Sequence, residues 1–273
     1  MSVGFNPATG SSNIYYRVNQ ASRDAVLSQQ KISSGLQINS AKDNAAGLSI
    51  ATRLTSDING LTQARRNASD AASFLQTGDG ALASITDNIG RIRELSVQAG
   101  NGILNADDRL AIQYEINSLT EEIFRISDNT TFNGISTLNN DSDLSFQIGN
   151  AARQTISSSA SKLSEKLAGL RLADIDVSTA ESTTAALDTL DSVLNSVSAK
   201  RSEFGSLQNR LDSISSNLET QSINSTATRS QILDTDIAME AAKLVNAQIR
   251  RQVGIAIQAQ ANGSADAVLR LLE

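Results

Sequence analysis

The chain contains neither cysteine nor histidine in its 273 residues. Without cysteine there is no disulfide and no thiol nucleophile, which suits either a reducing cytoplasm or an exported protein held by packing alone. With histidine also missing, a zinc site, a Ser-His-Asp triad and a Cys-His dyad are excluded by inventory, and no cofactor or metal site is expected. Tryptophan is absent, aromatics make up 3% of the chain, and the single proline is Pro7, so nothing beyond the extreme N-terminus removes a backbone donor from a helix. Basic residues are outnumbered, for a formal charge of −6, which argues against nucleic acid as a general partner. No stretch reaches the roughly 20 apolar residues needed to span a bilayer. The N-terminal segment has no basic start followed by an apolar run, so it does not read as a general secretory signal. The expected setting is the cytosol, or export by a route that leaves the N-terminus intact.

What the chain does have is long helical periodicity. Hydrophobic residues are 40% of the total, chiefly Ala, Leu, Ile and Val, sizes that suit seams between helices. Residues 1–12 are rich in Gly, Ser and Asn and read as loose. A helical pattern follows from Asn13 to Ser33 through Ile14, Val18, Ala21, Ala25 and Ile32, and Gly35 reads as its left-handed stop. From Ala45 to Ala99 the residues Leu48, Ala51, Leu54, Ile58, Leu61, Ala64, Ala68, Ala72 and Leu75 step by threes and fours. Leu82, Ile85, Ile89, Ile92, Leu95 and Ala99 continue in the same phase. The mean step, near ~3.5 residues, is the coiled-coil period. Gly78 and Gly80 each cost about 1 kcal/mol in a helix interior. The phase nevertheless holds across them, which predicts one helix about 80 Å long, with a neighbour approaching closely at the glycines.

A third helix is predicted after Asn105, an N-cap with Asp107 and Asp108 in the first turn and an apolar face of Ile112, Ile116, Leu119, Ile123 and Ile126. Between Asn129 and Ser178 the period changes. Asn133-Gly134 signals a tight turn, LSFQIG (144–149) alternates, and RQTISSS (153–159) is β-branched and polar, so one or two short hairpins are expected, with a Ser-rich loop at 157–164. Helical period returns at Thr183, where Leu187, Leu190, Leu194, Val197, Phe204, Leu207, Leu211, Ile214 and Leu218 form a second stripe with Arg201 in its polar slot. The polar stretch TQSINSTATRS (220–230) weakens that seam. A last helix is predicted from Asp236 to Leu272, through Ala241, Leu244, Val245, Ile249, Val253, Ala256 and Leu269. The fold class is therefore mainly α: an elongated antiparallel coiled-coil or helical-bundle rod with one or two short β-hairpins, its N- and C-terminal helices paired.

Five segments carry a resemblance. KISSGLQINSAKDNAAGLSIATRLTSDINGL (31–61), GALASITDNIGRIRELSVQAGNG (80–102) and TTFNGISTL (130–138) resemble the N-terminal signature of bacterial flagellins. ILDTDIAMEAAKLVNAQIRRQVGIAIQAQAN (232–262) and VLRLL (268–272) resemble their C-terminal signature. Phe5-Asn6-Pro7 departs from the INTN-like start of that family, and large outer domains are missing, as in a short flagellin.

The resemblance implies a structural subunit, not an enzyme, that self-polymerises into the extracellular filament of the bacterial flagellum and serves swimming. The related hook–filament junction protein is the alternative. It implies an inner filament-core domain from 1–42 and 232–273 and a helical rod from 43–231, with hairpins at about 130–178. The polymerisation core would comprise Ile14, Val18, Ala25, Ile32, Leu244, Val245, Ile249, Val253, Ala256, Leu269 and Leu272. The rod seam would comprise Leu48, Leu54, Ile58, Leu61, Leu75, Ile92, Leu190, Leu194, Val197, Phe204, Leu211, Ile214 and Leu218. Both ends are expected to be largely unordered in the lone subunit and to fold on packing. Implied partners are further copies of the chain, hook-associated junction and cap proteins, an export chaperone at the C-terminal helix, and the flagellar type III export apparatus. Arg91, Leu95, Gln98 and Glu115 match a region that an animal innate immune receptor recognises in many flagellins. Arg91 and Leu95, four apart, share a helical face, and contact with the next subunit is the competing role for it. Arg250-Arg251 reads as an inter-subunit or solvated patch rather than a membrane or nucleic-acid contact. The adjacent carboxylates Asp107-Asp108 and Glu121-Glu122 diverge on their helices and read as structural charge.

Overall fold

The computed structural model describes residues 7–160 and 162–272, with side chains described for 12–160, 162–179 and 181–264. The elements run α1 (Pro7–Ser34), α2 (Ala45–Ala99), α3 (Ala106–Asn129), β1 (Thr131–Phe132), β2 (Ile135–Ser136), β3 (Leu144–Gln147) and β4 (Thr155–Ser158). They continue with α4 (Leu163–Gly169), a 3-10 turn (Leu172–Asp174), α5 (Ala180–Leu233) and α6 (Ile237–Leu272). The chain divides into two compact units, Met1–Ile58 with Asn224–Glu273, and Asn59–Ile223.

In the unit 59–223, α2, α3 and α5 share one core. Its fully enclosed members include Leu75, Leu82, Ile85, Ile89 and Ile92 from α2, Ile116 and Ile123 from α3, and Leu190 and Phe204 from α5. Helix α2 is unbroken through both glycines, as its phase requires. The buried positions Leu61, Ala64, Ala68, Ala71, Leu75, Gly78, Leu82, Ile85, Ile89 and Ile92 step alternately by three and four, so the seam is a heptad repeat with Gly78 inside it. Ala71, not Ala72, occupies the seam; Ala72 packs at its edge. Leu194 and Ile214 of the sequence-read seam are also edge residues, whereas Leu61, Leu75, Ile92, Leu190, Val197, Phe204, Leu211 and Leu218 are buried. The polar slot of α5 differs from the expectation. Lys200, not Arg201, sits in register with the seam: its side chain is 11% exposed and paired with Glu203 at 3.1 Å, and its ammonium stands 5.1 Å from the centre of the Phe204 ring. Arg201 lies to one side and donates to Asp79 of α2 at 3.1 Å.

Helix α3 begins with a reciprocal cap: the Asp108 amide donates to Asn105 Oδ1 at 2.8 Å and the Asn105 amide donates to Asp108 Oδ2 at 3.2 Å. Two antiparallel hairpins follow, pairing β1 with β2 and β3 with β4. The first turns at Asn133 (φ 52°) and Gly134 (φ 78°), the left-handed pair that a two-residue hairpin demands. Phe74 of α2 holds both hairpins, its ring edge-on to Phe132 at 6.1 Å and 5.8 Å from Phe146. The Ser-rich stretch is not a loop throughout: Ser157 and Ser158 pair in β4, and Leu163 opens α4. Helix α4, the turn after it and the segment leading to α5 bury Leu163, Leu167, Leu172 and Val177 in the same core.

In the other unit, α1 starts at Pro7, inside the segment expected to be loose. Proline at the first helical position costs no hydrogen bond and presets φ. Gly35, at φ 71°, ends α1 as read. The polar stretch 220–230 does not interrupt α5, which continues to Leu233. Leu48, Leu54 and Ile58 are half-buried in this unit.

Candidate assembly surface

The terminal helices α1 and α6 pack along one another, and a short backbone clamp ties the segments beside them. The Gln37 amide donates to the Leu233 carbonyl at 2.7 Å, the Thr235 amide donates to the Gly35 carbonyl at 2.9 Å, and the Gln37 side chain donates to the Ile232 carbonyl at 2.8 Å. Asp236 then caps α6, accepting from the Met239 amide at 3.0 Å.

The contact between the two helices is made from small residues and one buried charge. Ala21, Ala25 and Ser28 of α1 and Glu240 and Ala247 of α6 are buried, with Ile14, Val18, Ile32 and Leu244 half-buried beside them. At Gly254 the helices come so close that a Cβ would lie 2.5 Å from Val18 Cγ2. Glu240 is 5% exposed. Its Oε1 accepts from the Ser28 hydroxyl at 2.9 Å and its Oε2 from the Lys243 ammonium at 2.9 Å. The Lys243 bond, outweighing the cost of burial, and then the Ser28 bond hold the Glu240 carboxyl below its ordinary pKa. Sequence periodicity missed this group, because a lone glutamate on an apolar stripe carries no period of its own.

The opposite side of α6 is apolar and uncovered. Val245, Ile249 and Val253 are 52%, 52% and 50% exposed. Ile249 lies nine positions past Glu240, about 180° round the axis at roughly 100° per residue. Ala256 belongs to the same outward stripe and is exposed, and Ile255 and Ile257 flank it, also exposed. Helix α1 contributes Tyr15, Tyr16, Val26 and Leu27, all exposed. The eleven residues read together as a polymerisation core therefore separate. Ile14, Val18, Ala25, Ile32 and Leu244 close the α1–α6 contact, while Val245, Ile249, Val253 and Ala256 face away from it. The side chains of Leu269 and Leu272 lie outside the described residues. Arg250 and Arg251 are exposed.

A second cluster lies where α2 faces α3. Arg91 donates to Glu94 at 3.0 Å and to Glu115 at 3.2 Å, and these two bonds raise its pKa, Glu94 first. Gln98 is exposed. Leu95 is 3% exposed and sits in the core, so it does not share a surface with Arg91; the face four residues along has turned into the seam. Asp107 and Glu121 are exposed, Asp108 completes the helix cap, and Glu122 pairs with Arg125 at 2.5 Å, so neither carboxylate pair converges on one atom. Among the described residues no group of three or more Asp or Glu is placed to hold a metal ion, and no helix is long and apolar enough to cross a membrane.

Long heptad helices, two small hairpins and a terminal helix pair with an uncovered apolar face define a mainly α, coiled-coil class of protein. Comparison with known proteins gives its family. The description of the bacterial flagellin N-terminal helical region matches residues 5–143, and that of the C-terminal helical region matches residues 187–272. A flagellar filament 30.7 kDa core protein of Treponema maltophilum is 37% identical over 257 residues, covering 89% of this chain and 90% of that one. The flagellin of Halalkalibacterium halodurans is 38% identical over 244 residues, with the same coverage of each. That of Bacillus subtilis is 35% identical over 293 residues, covering 95% and 96%. The crystal structure of Bacillus cereus flagellin aligns with a TM-score of 0.51 at 32% identity, covering 56% of this chain and 88% of that one. A hook-associated protein of Vibrio parahaemolyticus aligns with a TM-score of 0.60 at 14% identity, covering 70% and 100%, which speaks to the fold alone. The chain belongs to the bacterial flagellin family. It is a structural subunit of the flagellar filament, and the hook–filament junction role is not favoured.

Proposed function

We propose that the outward stripe of α6, with the exposed face of α1, is the surface through which successive copies stack into the filament core. The observation that carries this reading is the run of exposed aliphatic side chains along one helix, Val245, Ile249 and Val253 at about half exposure with Ile255 and Ile257 beside them. Covering the exposed half of each is worth about 1 kcal/mol, so a neighbour's stripe adds stability that the small residues between α1 and α6 do not supply. The same surface is applied head-to-tail by each copy, and a contact that repeats without closing builds an open helix of subunits.

On this reading 1–42 and 232–273 form the inner core of the filament, and 43–231 its surrounding layer. The terminal helices finish folding when they meet neighbours, which suits export of an unfolded chain through the flagellar type III apparatus. An export chaperone masks the C-terminal stripe before that step, and hook-associated junction and cap proteins meet the same surfaces at the ends of the filament. The subunit ends as an extracellular component serving swimming motility, with no catalytic role. Arg91, Gln98 and Glu115 offer a polar surface for either a neighbouring subunit or an animal innate immune receptor, and Leu95 supports it from beneath.

Deleting Asp236–Glu273 tests the assembly reading. The truncated chain is expected to stay soluble and helical and to add nothing to filament seeds in electron micrographs; normal filaments would refute it.

A further inference from the structure

Helix α6 presents two apolar faces, and the larger one is turned away from α1. Toward α1 it offers Leu244, Ala247 and Gly254, and away from it Val245, Ile249, Val253 and Ala256. Burial of apolar area alone favours the reverse, because the outward stripe carries more of it. The inward face holds one group that the outward face lacks, the Glu240 carboxylate, which is bonded to Ser28 of α1. A half-turn of α6 removes that carboxylate from the Ser28 hydroxyl and leaves the hydroxyl, itself 5% exposed, facing aliphatic side chains.

We propose that the Ser28–Glu240 pair is a rotational selector: it fixes which face of α6 meets α1, and so keeps the Val245/Ile249/Val253 stripe outward and available. Lys243 steadies the carboxylate from the solvent side, its ammonium 2.9 Å from Oε2. The clamp at Gln37–Leu233 and Gly35–Thr235 fixes where α6 begins. A clamp of backbone bonds on one side of Asp236 sets position along the axis, whereas the buried pair sets the angle about it. A buried polar contact that costs burial but excludes an alternative packing is a known device for specificity. The availability of the stripe for neighbours rests on the assembly reading above; the rotation itself does not.

The absence of cysteine makes the rotation directly readable. A Cβ placed on Gly254 would stand 3.8 Å from Val18 Cβ, close to the ~3.8 Å typical of disulfides. Three double variants report the angle: Val18→Cys with Gly254→Cys for the observed rotation, and Val18→Cys with Val253→Cys or with Ala256→Cys for turned ones. Free subunits are oxidised mildly in an excluded osmolyte, at a concentration where far-UV circular dichroism reports the terminal helices formed and light scattering reports no polymer, and intramolecular bonds are scored by gel mobility and mass. Bonding at 254 is expected to exceed bonding at 253 or 256 by about tenfold or more, the weight of a charge-assisted hydrogen bond. Adding Ser28→Ala or Glu240→Leu is expected to reduce that preference to about threefold or less, while Glu240→Gln, which still accepts from Ser28, retains it. An undiminished preference for 254 in both Ser28→Ala and Glu240→Leu overturns the proposal. So does loss of all three cross-links in both, since the pair then holds the helices together without steering them. Because the readout is taken on free subunits, a failure of filament growth counts against the assembly reading and not against this one.

Discussion

Gly78 of α2 and Phe204 of α5 occupy one layer of the long seam, the ring filling the space a side chain would take. A Cβ on Gly78 would lie 2.5 Å from Phe204 Cε2. The glycine that weakens the helix locally by about 1 kcal/mol is thus the hole into which the largest enclosed side chain fits.

Gly78→Ala is expected to destabilise the unit by about 1–2 kcal/mol net, overpacking outweighing the gain in helix propensity. Phe204→Ala is expected to cost about 3–5 kcal/mol by leaving the hole empty. Urea unfolding midpoints measure both, and a stabilised Gly78→Ala would mean that the ring does not sit against that turn.

Leu211 is 2% exposed in the same seam. Leu211→Asp buries an unpaired carboxylate and is expected to cost several kcal/mol, about 3 or more, lowering the thermal midpoint by many degrees. An unchanged midpoint would place that face of α5 in solvent.

The cap of α3 gives a smaller effect. Asn105→Ala removes the acceptor of the Asp108 amide and is expected to cost about 1 kcal/mol, read as a modest fall in unfolding free energy with the assembled fold intact.

Acid is expected to loosen the terminal helix pair through Glu240. Its carboxyl is held below the ordinary range in the folded state, so its contribution is fully present above the unfolded pKa. It is lost as pH falls through that value toward the folded one, because the unfolded chain takes up the proton first. Lys243 and Lys31 are the cations that favour its charged form. Far-UV circular dichroism from about pH 7 to about pH 3 is expected to show a loss of helix that Glu240→Gln flattens. Equal acid profiles for the two chains would contradict the role given to that carboxylate.

The helices and their seams were legible because period survives substitution: α2 and its phase across Gly78 follow from Leu61 to Ala99 read in threes and fours. Asn133-Gly134 named its turn because few residues tolerate two consecutive left-handed conformations. The misreadings came where the signal was short or shared. Helix α4 is seven residues long, less than two full periods of about 3.6 residues, so it carries no readable period. Ala71 and Ala72 are chemically identical neighbours, and only the partner helix decides which turns inward. Leu95 and Arg91 lie on adjoining parts of α2, and spacing alone does not say where the seam ends. On α6, apolar residues on both faces read as one stripe, and Glu240 and Ser28, which tell the faces apart, are separated by 212 positions.

Seeded growth of a chain in which Val245, Ile249 and Val253 are all serine probes the whole account at its centre. The substitutions touch neither Glu240 nor Ala247 and leave the α1–α6 contact in place, so circular dichroism is expected to match the parent. Electron microscopy is expected to find seeds that do not lengthen. Filaments of normal length and growth rate from that chain would contradict the claim that neighbours complete the face α6 leaves open.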